Sequence, residues 1–172
     1  MDTGSLRALP RRYAFRARSC AMEDETLFWA EMKPGRRILG RLPHNRDLSA
    51  SIGTLCRNAA IYTAVFSLAG AVAAVTVGAY DPAQQVYVTF KEPGPLEVVT
   101  CVGNVSNKDG HPIVHAQILL SDARGKLVGG RLFSETPLIY GEIDLQELTG
   151  PPLTRVYDPQ TGLGLWERIE GS

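Results

Sequence analysis

The chain has 172 residues, enough for one domain with a real core and terminal extensions, and its 44% hydrophobic and 21% charged composition is that of a water-soluble globular protein. Eighteen Lys/Arg balance eighteen Asp/Glu, which excludes a surface that is a nucleic-acid footprint throughout. Three cysteines, Cys20, Cys56 and Cys101, are an odd number without metal-site spacing; they argue against a disulfide framework and fit a reducing cytoplasm.

The neutrality is uneven along the chain. Residues 1–46 hold ten Lys/Arg against five Asp/Glu and the remainder eight against thirteen, so the front carries +5 and the rest −5. Contact with an anionic polymer is therefore expected in the N-terminal arm. Arg7, Arg11, Arg12, Arg16 and Arg18 fall within the first 22 residues beside one acid, Asp2. This composition suits an organelle transit peptide, a basic arm on nucleic acid, or a plain surface extension, and the last is preferred. No continuous apolar stretch follows the arginines, so a secretory signal is excluded. Residues 1–34 are read as this extension, 35–148 as the domain, and 149–172 as a C-terminal turn and strand packed on it.

Residues 36–42 read as the first strand. Over 47–58, Leu48, Ile52 and Leu55 recur at helical spacing, and Asn45 or Asp47 can cap the helix. From 58 to 80 no residue is charged. A membrane span is rejected, because Gly70 and Gly78 punctuate the run, Thr63, Ser67 and Thr76 interrupt it, and basic and aromatic flanks are missing. Two buried strands, 61–68 and 73–80, joined across Gly70-Ala71-Val72, explain it better. Tyr80-Asp81-Pro82 then turns into an alternating strand over 86–90, and a further strand follows over 95–105.

From Gly103 to Leu132, two β-branched apolar runs are separated by Asn107-Lys108-Asp109-Gly110 and Asp122-Ala123-Arg124-Gly125, the pattern of consecutive hairpins. Alternation puts Val114, Ala116, Ile118 and Leu120 on one face, and Ile113, His115, Gln117 and Leu119 on the other. A loop of Ala123-Arg124-Gly125 sets Asp122 opposite Lys126, and this register brings Gln117 opposite Arg131 with His115 beside them. A last strand over 138–145 ends near Glu142, Asp144 and Glu147, expected as a solvated acidic edge. Beyond the turn at Tyr157-Asp158-Pro159, Trp166 is expected to pack on the sheet or on a neighbouring subunit.

The order of Gly70-Ala71-Val72, Gly94-Pro95-Leu96-Glu97-Val98-Val99, the Asp109-Gly110-His111-Pro112 turn leading to His115, and Gly129-Gly130-Arg131-Leu132 resembles the plants-and-prokaryotes-conserved (PPC) domain. That domain occurs in bacterial and archaeal proteins and in plant AT-hook nuclear proteins, and the similarity runs from about Arg36 to about Leu165. The resemblance implies an α+β fold, a mixed sheet of about seven strands with one principal helix. Relatives are commonly trimers, so a homotrimer is expected. One helix also leaves sheet surface that a neighbouring subunit would cover. Plant relatives carry an Arg-Gly-Arg hook for the DNA minor groove; this sequence has none, and Lys33-Pro34-Gly35-Arg36-Arg37 is the nearest approach.

In many prokaryotic members the positions of His115, Gln117 and Arg131 are all histidines, and the resemblance implies that such a set can hold zinc. Here an amide and a guanidinium replace two imidazoles. Neither suits zinc, so no metal and no cofactor is expected. Arg131 instead brings a fixed positive charge, able to hold a carboxylate or phosphate with Gln117 and His115 as hydrogen-bond partners. The alternative, and the preferred one, is a structural pair between Arg131 and a carboxylate such as Glu97.

No phosphate-cradling loop, dinucleotide fingerprint or nucleophile elbow is present. His115 with Arg131 could act as a general base and an anion clamp, yet nothing names a substrate, and catalysis is left open. Two functions remain: a DNA-associated oligomer whose basic arm meets phosphates, or a trimeric module, conceivably an enzyme, binding a small anion at His115, Gln117 and Arg131.

Overall fold

A computed structural model describes residues 20–22 and 25–167. A short pair, β1 (Cys20–Met22) and β2 (Glu25–Leu27), precedes the main sheet. That sheet has six strands: β3 (Lys33–Leu42), β4 (Ala64–Asp81), β5 (Val86–Lys108), β6 (His111–Ser121), β7 (Leu127–Leu132) and β8 (Leu138–Thr149). Their order is β3-β8-β4-β5-β6-β7, and β7 also returns to pair with β4, so the last four strands curl into a ring. A separate hairpin, β9 (Arg155–Asp158) and β10 (Leu163–Trp166), follows. The α+β class holds. The expected mixed sheet of about seven strands becomes a six-stranded sheet plus a hairpin. Every ladder among the described residues is antiparallel, with an isolated Asn107–Thr154 bridge as the parallel exception.

The helix α1 (Leu48–Asn58) starts at Asp47. Asp47 Oδ1 accepts from Ala50 N at 2.8 Å, the N-cap bond that satisfies a backbone donor at the helix start. Its Oδ2 accepts from Thr136 N at 3.0 Å, tying that start to the loop before β8. Leu48, Ile52 and Cys56 recur every fourth residue and are fully buried. They form one core with Ala116, Ile118 and Leu120 of β6, the face predicted from alternation.

Two expected breaks are absent. The segments expected at 61–68 and 73–80 form one strand, β4, which begins at Ala64, because bulges at Ser67/Ala71 and Val72/Ala74 absorb the bend. The segments at 86–90 and 95–105 likewise merge into β5. The acidic edge is also corrected: β8 lies between β3 and β4, and two of the three carboxylates meet cations while Glu142 stays exposed. Glu147 takes both Nε and Nη2 of Arg36, at 2.7 and 2.8 Å, and Asp144 takes Arg37 at 2.6 Å. No helix among the described residues is long and apolar enough to cross a membrane.

Candidate functional site

Turn chemistry sets the site. Asp109 and Gly110 both have positive φ (52° and 79°), joining β5 to β6 through a tight Asp-Gly turn. At the next turn Gly125 takes φ 80°, and Asp122 N donates to Lys126 O at 3.0 Å. The resulting register pairs Gln117 with Arg131. It continues across the sheet in two adjacent rows. One runs Arg37–Gln146–Val65–Asn104–His115, the other Leu39–Asp144–Ser67–Val102–Gln117–Arg131. Side chains of both rows point away from the helix. The row between them, Ile38, Leu145, Phe66, Gly103 and Ala116, faces the core.

Together the two rows, Leu39 excepted, line an open groove of about 720 Å³, with Trp166 at its side. Gly103 is required below it, since a Cβ there would lie 2.5 Å from His115 O and from Phe66 Cζ. His115, Gln117 and Arg131 thus share one cavity. Arg131 stacks on Tyr87, its Cζ 4.7 Å from the ring centroid, and Nη1 donates to Tyr87 Oη at 3.1 Å. No carboxylate reaches it among the described residues. Glu97, offered above as its partner, accepts from Tyr140 Oη at 2.8 Å instead. Among the described residues that line the groove the one carboxylate is Asp144, held by Arg37 at the far end, four strands along the row from Arg131.

Sequence reasoning missed a second guanidinium. Arg155 of β9 is half-buried behind Asn104, donating to Asn104 Oδ1 (3.0 Å), Ser106 Oγ (2.9 Å) and Gly164 O (2.8 Å). It stacks on Trp166, 5.3 Å from the ring centroid. The signal was present in the Asp158-to-Gly162 turn, which closes a hairpin pairing Arg155 with Trp166. Burial and the positive charge of Arg131 both lower the proton affinity of Arg155. His115 shows the same field. Burial first, then Arg155, Arg131 and Lys108, push its pKa down to about 4. Its Nδ1 is buried with no hydrogen-bond partner. Arg7, Arg11, Arg12, Arg16 and Arg18 lie outside the described residues.

The donors do not fit a metal. One imidazole, an amide and a guanidinium offer a single good ligand, and no group of three or more His, Cys, Asp or Glu is gathered among the described residues. They fit an anion, which Arg131 can meet with several free N–H groups.

The sequence matches the family model of the Plants and Prokaryotes Conserved (PCC) domain over residues 30–149. Among solved structures it is similar to a metal-containing protein of Archaeoglobus fulgidus, at 36% identity and a TM-score of 0.77, over 80% of this chain and 97% of that one. A plant- and prokaryote-conserved protein of Pyrococcus horikoshii matches at 31% identity and a TM-score of 0.78, over 84% and 99%. A candidate DNA-binding protein of Ralstonia eutropha shares the fold at 23% identity and a TM-score of 0.66, over 76% and 90%. No curated protein matches the sequence.

Proposed function

Because this chain belongs to the Plants and Prokaryotes Conserved domain family, we propose that it works as an oligomeric module holding a small anion, a phosphate or carboxylate, at the position where the resemblance implies that histidines of relatives can hold a metal. The observation that carries this reading is Arg131, a guanidinium in a groove with no carboxylate partner among the described residues, beside a buried imidazole nitrogen lacking a hydrogen bond. A guanidinium lining a cavity with N–H groups to spare is a ready partner for an anion. Calorimetric titration with inorganic phosphate and with acetate tests it. The wild type should take up at least one of the two, and Arg131→Gln should lose that binding about tenfold or more. Equal binding by both proteins would remove Arg131 from the site.

Assembly fits a second exposed surface. Val86, Val88 and Phe90 are 47%, 55% and 45% exposed. They alternate with Tyr87, so this apolar stripe points away from Arg131 and a neighbouring subunit could cover it without closing the groove. Light scattering should show a trimer that Phe90→Glu dissociates; a monomeric wild type would contradict this.

A second reading, association with DNA, is favoured by the +5 balance of residues 1–46. The Ralstonia protein's description as a candidate DNA-binding protein points the same way. In this reading the domain oligomerises and the arm meets phosphates. Gel-shift affinity should then fall steeply with salt and disappear on deletion of residues 1–31. Unchanged affinity after that deletion would assign the arm no such role.

A further inference from the structure

Resting on the anion reading above, we infer that the groove takes a phosphate monoester carrying a flat ring, a ligand of mononucleotide type, with the phosphate between Arg131 and the Asn104 amide and the ring against Trp166. Three independent features converge. The first is charge. The charge of Arg131 is felt at Arg155, and both are felt at His115, with no carboxylate of the described residues bound to Arg131 or Arg155, so a dianion in the groove of Arg131 and His115 relieves a repulsion that a neutral ligand would leave.

The second is donor direction. Arg155 occupies Asn104 Oδ1, which leaves the Asn104 amide N–H₂ as the free end of a side chain lining the groove. With Gln117 and the remaining N–H groups of Arg131, the cavity presents an array of donors. A tetrahedral dianion has acceptors for them in three dimensions, whereas a carboxylate is planar. The β9–β10 hairpin is therefore part of the site: its Arg155 orients Asn104.

The third is shape. Trp166 lines the groove and remains 41% exposed, and Val65 and Val102, 45% and 52% exposed, form an apolar floor. An aromatic side chain above apolar ground is where a base or comparable ring stacks. The volume of about 720 Å³ lies within the 300–1,000 Å³ usual for small-ligand sites.

Calorimetry on the full chain with inorganic phosphate, AMP, adenosine and a single-stranded oligonucleotide lacking terminal phosphates tests the inference. AMP should bind about tenfold tighter than phosphate, with adenosine and the oligonucleotide much weaker. Trp166→Leu should bring AMP down to the phosphate level and leave phosphate unchanged. Arg131→Gln should weaken both, with Arg131→Lys between, and circular dichroism confirms that each variant is folded. If phosphate binds but AMP is no tighter, or Trp166→Leu leaves AMP unaffected, the ring-stacking inference falls while the anion site stands. If the oligonucleotide binds as well as AMP, the ligand is a backbone phosphodiester and the monoester assignment is wrong. If neither phosphate nor AMP binds, both readings fall.

Discussion

Replacing His115 by Gln should flatten the acid limb of the stability curve. In the fold the imidazole is held at about 4, against an ordinary 6.5, by burial first and then by Arg155, Arg131 and Lys108. A histidine with lowered proton affinity in the folded state stays neutral there while the unfolded chain takes up a proton. Its contribution is therefore complete above pH 6.5 and lost as the pH falls from 6.5 towards 4. The whole difference would correspond to roughly 3 kcal/mol. The ring is only partly shielded, and screening by solvent reduces this to about 1–2 kcal/mol. Urea denaturation of wild type and His115→Gln, stepped through that pH window at low salt, isolates the effect. Carboxylates such as Glu147, held down at about 2 by Arg36, titrate in both proteins and cancel. The wild type should lose stability more steeply than His115→Gln as the pH falls from 6.5 towards 4. Curves that stay parallel through the window would refute a buried imidazole in a field of cations.

Three further outcomes follow from the packing. Gly103→Ala places a Cβ 2.5 Å from His115 O, so the β5–β6 ladder must shift; urea denaturation should show a loss of about 1–3 kcal/mol. Asp47→Ala removes the acceptor of both Ala50 N and the buried Thr136 N, costing about 1–2 kcal/mol in the same assay. Glu147→Gln breaks the two-point contact with Arg36. That pair is largely exposed on the Arg36 side, so thermal denaturation should show a small loss that high salt erases.

The site was legible wherever local turn chemistry fixes register. Asp109-Gly110 and the Asp122-to-Gly125 loop are read directly from residue type, and with them the pairing of Gln117 with Arg131. Alternation along β6 then separates core residues from groove residues. Contributions from distant strands were not legible. Arg155 reaches Asn104 only because a C-terminal hairpin docks beside β5, a contact between residues 51 apart. The Arg37–Asp144 pair depends on β8 inserting between β3 and β4. Gly70-Ala71-Val72 reads as a connection between two strands, yet bulges there let β4 run on between its neighbours. Glu97 lies on the same long strand as Asn104, and only the three-dimensional register reveals that its carboxylate belongs to Tyr140.

The most direct test of the central claim, that the Arg131 guanidinium receives an anion, is a crystal structure grown with tungstate, a phosphate-shaped anion located by its anomalous scattering. The account predicts a peak within hydrogen-bond distance of the Arg131 guanidinium and the Asn104 amide, on the face away from the helix. A groove without a peak, with Arg131 turned onto a protein carboxylate, would contradict it.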